Sequence, residues 1–420
     1  MRLVVALALA GCFGKPGFSG KDAAAGEDGP GTCTPTKPTG TGLTVDVSAA
    51  DTHVTFLDGS LVGFSNANTR YPLPNRLIVA NQDLVATPEG CAYEDQVGVA
   101  VYPVFNIGAQ TLTGNPTHAL EPEIVGPAYT LLRTHWTIAL PGGCGGTTRG
   151  SGNTSWAFLP DGKIVRNDTI TPTEMVNISA GVGCSCPSGG GSNFLVTSYT
   201  TFELSRLSAV TRSDDGADQN FVPATSIAAR GACARGTMGG KVAVWWDRLD
   251  SNDPAVAPTR LRHDTNPGTS HAIFAFVYDM VRSQDMATTL TAMASYGIRT
   301  HMLLSAGQPT CTDMLATVQS FAVVQQIDVG PAGGSSIPVN YNADGVYDDS
   351  TTYTGPITID GTVPPGFAVH VRFPGFTAVS TNRAADRVVW QRQTDGTFIL
   401  FFRDGLDAIA PITVTPECAS

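Results

Sequence analysis

The sequence Phe367-Ala368-Val369-His370-Val371-Arg372-Phe373 alternates between large apolar residues and small or polar ones. Side chains of a β-strand point alternately to opposite faces of a sheet. The apolar members, from Phe367 through Val369 and Val371 to Phe373, are therefore predicted to share one buried face. This strand pattern, rather than a helical one, recurs along the chain.

Two further segments extend the pattern. In Thr134–Leu140 the apolar residues alternate with His135 and Thr137, which is typical of a half-buried strand. Ala272–Tyr278 is apolar at nearly every position, which predicts a central strand that is buried on both faces.

Asp-Gly steps, which favour tight hairpin turns because both positions tolerate positive φ, punctuate these segments. The steps begin at Asp58, Asp161, Asp215, Asp344, Asp360, Asp395 and Asp404. Helical spacing of apolar residues is found only in Gln284–Ser295 and Asp313–Phe321. The chain is therefore predicted to be mainly β, a large antiparallel β-sandwich with one or two short helices.

Composition shifts suggest the organisation of the body. Ser185–Ser192 is rich in Gly and Ser and predicts a loop, and Gly330–Ser336 resembles a linker. We predict a large β-sandwich domain over residues 43–330 and a smaller C-terminal β module over residues 331–420. The alternative is a single super-sandwich that includes both segments.

The overall charge excludes some functions. The chain of 420 residues has a formal net charge of −11 and only 15% charged residues. A nucleic-acid-binding protein needs a basic surface to displace counterions from phosphates, so nucleic acid is not an expected partner. Walker and dinucleotide-binding glycine motifs, the Gly-x-Ser-x-Gly elbow and His-Glu-x-x-His do not occur in the sequence, so we expect no nucleotide partner.

The N-terminus has the pattern of an export signal. One Arg is followed by an apolar run and small residues, too short a stretch to span a bilayer. Leu9-Ala10-Gly11-Cys12 resembles the lipobox of bacterial lipoproteins. The resemblance implies a signal peptide at residues 1–11, a lipid on Cys12 and anchoring in the bacterial cell envelope. Phe13 is not the Asp that retains enteric lipoproteins in the inner membrane, which favours the outer membrane.

A linker is predicted after the lipidated cysteine. Residues 12–42 are rich in Gly, Pro, Lys and Thr and contain too little apolar surface to form a core. The folded body is expected to begin near Leu43.

The cysteine count agrees with lipidation of Cys12. The chain has nine cysteines, and removing the acylated one leaves an even number for disulfides in an oxidising compartment. These candidates are Cys33, Cys91, Cys144, Cys184, Cys186, Cys233, Cys311 and Cys418. Their pairing stays open at this point, and Cys184-Ser185-Cys186 lacks the spacing and nearby histidines of a zinc site.

Three Arg/His pairs are candidates for catalysis. Each pair is separated by one residue in a predicted strand, so both side chains share a face. The pairs are Arg133 with His135, Arg299 with His301, and His370 with Arg372. If these faces meet in a cleft, Arg can bind a carboxylate and neutral His can accept a proton, as β-elimination of a uronate-containing polysaccharide requires. The alternative is an ordinary solvent-facing role.

Two other groups are candidates for ligand binding. Trp245 and Trp246 stand at a strand end, where an exposed ring can stack on a sugar, although core packing is the alternative. The second group has the spacing of calcium ligands, with an Asx-rich turn as the alternative, and contains Asn340, Asn342, Asp344 and Asp348. A structural Ca²⁺ is therefore a possible cofactor, and no other cofactor is predicted.

Together these features predict an exported, lipid-anchored envelope protein whose disulfide-linked ectodomain binds a ligand, with carbohydrate as the leading candidate. Two alternatives stay open. One is a carbohydrate-active enzyme such as a lyase on an acidic polysaccharide, and the other is a structural envelope component. The sequence does not specify the oligomeric state.

Overall fold

The computed structural model describes most of the body of the chain. The described residues are 41–65, 74–84, 100–103, 105–107, 110–112, 114–116, 120–139, 148–173, 176–178, 196–213, 218–219, 224–227, 230–248, 259–265, 272–281, 288–307, 309–323, 325–407 and 409–419. The predicted signal peptide, Cys12, the linker up to residue 40 and the loop at 185–192 lie outside them.

The strands of the first half are β1 Thr44–Val47, β2 Asp51–Thr55, β3 Leu61–Ser65, β4 Pro74–Val79, β5 Gln82–Asp83, β6 Ala100–Pro103, β7 Phe105–Ile107, β8 Gln110–Leu112, β9 Gly114–Pro116, β10 Glu121–Ile124, β11 Thr130–Ala139, β12 Thr148–Phe158, β13 Lys163–Pro172, β14 Val176–Ile178, β15 Val196–Glu203 and β16 Leu207–Arg212. The second half contains β17 Asp218–Gln219, β18 Ala224–Ile227, β19 Gly231–Gly236, β20 Lys241–Arg248, β21 Thr259–Thr265, β22 Ala272–Val281, β23 Thr288–Leu290, β24 Tyr296–Ser305, helix α1 Cys311–Ala322, β25 Gln326–Pro331, β26 Ile337–Asn340, β27 Tyr347–Thr352, β28 Ile357–Gly361, β29 Phe367–Arg372, β30 Phe376–Thr381, β31 Val388–Arg392, β32 Thr397–Phe402 and β33 Ile412–Ala419.

These strands form five sheets and two isolated pairs within the described residues. The N-terminal sheet has the order β1-β2-β3-β4-β5, and the ten-stranded sheet has the order β10-β11-β12-β13-β24-β20-β19-β16-β17, with β9 also on β11. The middle sheet is β18-β21-β22-β15-β6, and the two C-terminal sheets are β26-β25-β28-β33-β30 and β27-β29-β32-β31. The isolated pairs are β14-β23 and β7-β8. Pairing is antiparallel except between β27 and β29.

The prediction of a mainly-β antiparallel fold is confirmed. Ala272–Tyr278 lies in β22, the middle strand of its sheet. Asp161-Gly162 joins β12 to β13 and Asp395-Gly396 joins β31 to β32, and both glycines have positive φ as such turns require. The predicted inward face of β29 is buried as well.

The ten-stranded sheet has two packed faces. Phe56 and Phe64, next to and within the N-terminal sheet, contact Trp156 and Phe158 on the face that we call the inner face. These ring pairs fill a layer between two sheets and exclude water.

The opposite, outer face of this sheet packs on the C-terminal sheets. Leu131, Ala157 and Val165 form one apolar cluster with Ala368 and Phe401 of the four-stranded C-terminal sheet. The other face of that four-stranded sheet packs on the five-stranded C-terminal sheet through a second cluster. Sheet layers are therefore stacked on both sides of the ten-stranded sheet.

Helix α1 covers part of the same outer face. Thr310 and Asp313 form a capping box at its N-terminus, in which each side chain accepts a hydrogen bond from the other residue's backbone N–H. Met314 and Val318 on its buried side pack against Leu303 of β24. The predicted helix at Asp313–Phe321 is confirmed.

The other predicted helix, at Gln284–Ser295, is wrong for its described part. Thr288–Leu290 is strand β23, paired with β14, and Thr291–Ser295 is irregular. Thr288 and Thr289 are β-branched, which restricts their side-chain rotamers in a helix and favours a strand.

The described residues, from Thr41 onward, belong to one compact unit. The predicted domain boundary near residue 330 stays a prediction, and Gly330 and Pro331 form the end of β25. In the described part of the chain, no helix has both the length and the apolar character needed to cross a bilayer.

Candidate functional site

A row of polar side chains crosses five strands on the outer face of the ten-stranded sheet. Arg133 of β11 stands opposite Ser155 of β12, which stands opposite Asn167 of β13. Asn167 stands opposite Arg299 of β24, and Arg299 stands opposite Asp247 of β20. Because directly paired residues share a face, these five side chains form one continuous row.

The segment Tyr341–Val346, which we call the junction loop, lies on this row. The Asp344 carboxylate accepts hydrogen bonds from Ser155 Oγ at 2.8 Å, Asn167 Nδ2 at 3.2 Å and Arg133 Nη2 at 3.3 Å. Arg299 Nη1 donates to the carbonyl of Asn342 at 3.4 Å. The row therefore holds the loop in one position.

Both arginines of the row are paired with carboxylates. Arg133 Nε lies 2.5 Å from Glu123 Oε2, and Arg299 Nη2 lies 2.7 Å from Asp247 Oδ2. The pKa of Arg133 is raised, since the hydrogen bond and charge of Glu123 and the charge of Asp344 outweigh the opposing effect of burial. The positive charge of this row is therefore largely balanced within the protein.

The predicted pair His370 and Arg372 faces the same junction. Ala368, two residues earlier in β29, packs on the outer face of the ten-stranded sheet, so the alternation places His370 and Arg372 on that side too. The His370 ring meets the Tyr129 ring edge-on at 5.5 Å, and its Nδ1 lies 3.8 Å from Asp348 Oδ1. Burial lowers the pKa of His370 although the charge of Asp348 opposes this effect. Arg372 is exposed.

His301 lies on the same face but is inaccessible. It is only 2% exposed, and burial, with a smaller contribution from the charge of Arg299, lowers its pKa to about 3. The imidazole is therefore neutral at physiological pH. A neutral His was part of the lyase hypothesis, but in this structure a substrate has no access to this one.

The two tryptophans differ in position. Trp246 is fully buried, so the expectation that it stacks on a sugar is corrected by its packing in the core. Trp245 stands opposite His301 and packs partly buried against the cluster beneath helix α1.

Beyond the row, the same face continues with smaller polar residues. His135 stands opposite Asn153, and Asn153 stands opposite Thr169. His135 is exposed, whereas Asn153 and Thr169 are half-buried. With their neighbours they form a patch that we call the polar grid: Arg133, His135, Ser151, Asn153, Ser155, Asn167, Thr169 and Thr171.

The calcium prediction stays a prediction. Asn342 Oδ1 accepts the backbone N–H of Val346 at 3.1 Å, and the Asp344 carboxylate contacts the polar row. Asn340 and Asp348 are exposed. Within the described residues, no group of three or more His, Cys, Asp or Glu side chains is placed to hold a metal ion.

The structure shows the pairing of two of the eight predicted disulfide cysteines. Cys233 of β19 is bonded to Cys311 at the start of helix α1, which links the helix to the sheet. Cys418 is disulfide-bonded as well. The remaining candidates, Cys33, Cys91, Cys144, Cys184 and Cys186, lie outside the described residues.

Sequence reasoning missed three members of the row: Ser155, Asn167 and Asp247. A signal for two of them existed, because the predicted Asp161-Gly162 turn sets Ser155 opposite Asn167 across the hairpin. Asp247 joins the row through Arg299 of β24, which lies 52 residues later in the sequence.

The fold defines a mainly-β protein of stacked sheets, and the outer face of its ten-stranded sheet carries a polar patch. No protein-family model matches the chain, and no curated protein matches it. Among solved structures, the chain is similar to the Slr1438 protein from Synechocystis sp. PCC 6803, with 12% identity over 66% of this chain and 99% of that chain and a TM-score of 0.36.

Two other structures are similar at the same level. Galactose 1-epimerase from Lactobacillus acidophilus NCFM has 8% identity over 64% of this chain and 99% of that chain, with a TM-score of 0.36. Heparan sulfate lyase HepC from Pedobacter heparinus has 9% identity over 75% of this chain and 40% of that chain, with a TM-score of 0.33. Likenesses this low carry no argument about family, ligand or activity.

Proposed function

We propose that the protein is an exported, lipid-anchored envelope protein whose ectodomain binds a neutral oligosaccharide on the polar grid without cleaving it. The observation that carries the proposal is the grid itself. Its eight positions on β11, β12 and β13 all bear hydrogen-bonding side chains, and its outer part is accessible.

The chemistry of the accessible part fits a hydroxyl-rich ligand. Asn153 offers an amide donor and acceptor, Ser151, Thr169 and Thr171 offer hydroxyl groups, and His135 offers an imidazole. Sugar hydroxyls both donate and accept hydrogen bonds, so they match such a mixture. The side chains stand on paired strands, which fixes their spacing before a ligand binds and lowers the entropic cost of binding.

The charges favour a neutral sugar over an acidic one. Arg133 and Arg299, which would bind a uronate, are paired with Glu123, Asp344 and Asp247. A ligand carboxylate would have to displace these partners and meet their repulsion. The burial of His301 removes one of the candidate bases from the lyase hypothesis.

The envelope location rests on two features. The Cys12 lipobox resemblance supports export and acylation, and two acyl chains or more give stable anchoring. The Cys233–Cys311 disulfide supports an oxidising compartment, since disulfides seldom persist in a reducing cytosol. We propose the outer membrane, because Phe13 stands where inner-membrane retention would use Asp.

The binding proposal is tested with the full chain in detergent on immobilised neutral and acidic polysaccharides. The double variant Asn153→Ala, Thr169→Ala removes two paired, half-buried grid side chains and should weaken retention on a neutral glycan by about 10-fold or more, roughly the effect of one to two lost hydrogen bonds. The matched control is Thr358→Ala, Thr413→Ala, a half-buried pair on β28 and β33.

The outcomes separate the three functions. Equal retention of the grid variant, the control and the wild type would contradict the grid as the binding face. New chain ends with an unsaturated sugar would establish the lyase instead. Absence of retention on every glycan would leave the structural component as the better explanation.

The anchoring proposal has its own test. A host that acylates lipoproteins should attach a labelled fatty acid to the wild-type chain and not to Cys12→Ser, and only the wild type should float with membranes. Label on the Cys12→Ser variant, or wild-type protein in the soluble fraction, would refute anchoring through Cys12.

A further inference from the structure

The predicted linker enters the folded body at a fixed place. Arg403 Nη2 donates to the Thr41 carbonyl at 2.6 Å and to Thr41 Oγ1 at 3.3 Å. The Leu43 N–H donates to the Pro127 carbonyl at 2.8 Å. These bonds attach the start of the body beside the end of β32.

A short loop that precedes β33 presents an isoleucine to solvent. Ile409 is 94% exposed, the highest value among the large apolar residues that the structure describes. The Asp407 carboxylate accepts the backbone N–H groups of Ile409 at 2.9 Å and Ala410 at 3.0 Å. Arg383 Nη2 donates to the Ala410 carbonyl at 2.7 Å, and Asn382 Nδ2 donates to the Pro411 carbonyl at 3.0 Å.

We call Ile409, Ala410 and Pro411 the loop tip. Four side-chain hydrogen bonds hold it, so its conformation is fixed while its apolar side chain remains in water. A single exposed apolar residue is common on protein surfaces. Here, however, a fixed loop holds the isoleucine outward at the end of the body where the linker from the proposed lipid anchor enters. Such a position fits a contact with the membrane.

The loop tip and the Thr41 entry lie at the same end of the C-terminal sheets. Arg403 directly follows β32, and its N–H donates to the Arg387 carbonyl at 3.0 Å. Arg383 and Arg387 stand between β30 and β31, at the end where β29 begins. The junction residues His370 and Arg372 are at the other end of β29.

We propose that the loop tip contacts the bilayer to which the chain is anchored and places Ile409 at the boundary between the lipid headgroups and the acyl chains, so that the polar grid points away from the membrane. The proposal rests on the anchoring part of the proposed function. A linker of about 30 residues with this Gly- and Pro-rich composition has an expected reach of roughly 30 Å, which keeps the loop tip close to the surface. Weak insertion is then sufficient, because the tether makes it an intramolecular step.

The charges around the loop tip indicate the kind of membrane surface. Arg383, Arg387 and Arg403 stand there with Asp386, Asp404 and Asp407, so both signs are present in equal number. Such a surface complements zwitterionic headgroups, which also carry both signs, rather than a strongly anionic membrane. The partner is therefore a phosphatidylcholine- or phosphatidylethanolamine-like surface.

The test uses the acylated full chain on phosphatidylcholine vesicles that contain lipids brominated on their acyl chains. Ile409→Trp adds a reporter at the loop tip, and Thr394→Trp adds one at the exposed turn before β32, the opposite end of that strand. Bromolipid should quench the added fluorescence at position 409 at least about twofold and leave that at 394 unquenched, with the wild type as background.

Two results would overturn the proposal, and they are distinguishable. Chains that float with the vesicles but show equal quenching at 409 and 394 would refute the membrane contact alone. Chains that do not float would refute the anchoring, and the proposal for the loop tip would fail with it.

Discussion

The ten-stranded sheet carries arginine–carboxylate pairs on both faces, and the two faces use them differently. On the inner face, Arg166 and Asp168 form two contacts of 2.7 Å, with side chains 3% and 0% exposed. On the outer face, Arg133 and Asp344 are 27% and 25% exposed and lie 3.3 Å apart. The chemistry is the same, but the access of water differs.

Burial decides what each pair does. The Asp168 carboxylate also accepts a hydrogen bond from Thr154 at 2.6 Å, and the Arg166 guanidinium lies 4.6 Å from the centre of the Trp156 ring. Burial nevertheless raises the pKa of Asp168, against the opposing charge of Arg166. The inner pair is therefore a structural element with a desolvation cost, whereas the outer pair remains partly accessible to water.

The largest expected effect comes from breaking the inner pair. Asp168→Ala removes the Asp168 carboxylate from the buried Arg166 guanidinium, and we expect the free energy of unfolding to fall by about 3–5 kcal/mol. The urea midpoint, followed by tryptophan fluorescence, measures this loss.

The matched control for this prediction removes both charges. Arg166→Met, Asp168→Leu should recover most of the lost free energy, because neither charge then has to be desolvated. A double variant as unstable as Asp168→Ala would contradict the role assigned to the buried Arg166 charge.

The next effect concerns His301, a buried group on the outer face. The folded protein keeps this imidazole neutral down to about pH 3, whereas the unfolded chain protonates it near 6.5. The contribution of the neutral His301 to the free energy of unfolding is therefore fully present above pH 6.5 and is lost as the pH falls from 6.5 towards 3. Between pH 6.5 and about 4.5 the wild type should lose about 2 kcal/mol more than His301→Leu. Equal pH slopes of the two proteins would contradict the burial of a neutral His301.

A smaller effect is expected at the junction loop. Asp344→Ala removes the common acceptor of Ser155, Asn167 and Arg133, and partial access of water limits the expected loss of unfolding free energy to about 1–3 kcal/mol. Asp348→Ala, which removes a half-exposed carboxylate from β27, should cost less than about 0.5 kcal/mol. Equal urea midpoints for these two variants would mean that the loop is not held by the polar row.

The strands and hairpins that the sequence predicted correctly are those marked by local patterns. Alternation placed the strands at Thr134–Leu140 and Phe367–Phe373, and Asp-Gly steps placed the hairpins at Asp161 and Asp395, because these signals are local. Gln284–Ser295 failed, since spaced apolar residues occur in both helices and strands when the segment is short.

No local sequence pattern predicts the buried Arg166–Asp168 pair or the contact of the junction loop with the polar row. Arg166-Asn167-Asp168 is a run of three polar residues, and binary patterning assigns such a run to solvent, although all three are buried between sheets. The contact of Arg133 with Asp344 joins residues 211 positions apart. Only the stacking of the C-terminal sheets on the outer face brings them together. The sequence therefore predicted the Arg/His candidates, but it did not predict that carboxylates balance the charges of Arg133 and Arg299.

The smallest effect on stability is expected at Glu123, and it bears most directly on ligand choice. Its carboxylate is 48% exposed, so Glu123→Gln should lower the free energy of unfolding by less than about 1 kcal/mol, and by less still in about 0.5 M salt. Yet the substitution removes one of the two carboxylates that balance Arg133. If that balance is why the polar grid prefers neutral glycans, Glu123→Gln should raise retention on acidic polysaccharides several-fold, and Asp348→Asn should do so less. If Glu123→Gln binds neutral and acidic polysaccharides with the same selectivity as the wild type, the pairing of Arg133 does not determine which glycan binds. Acidic polysaccharides would then again be candidate ligands.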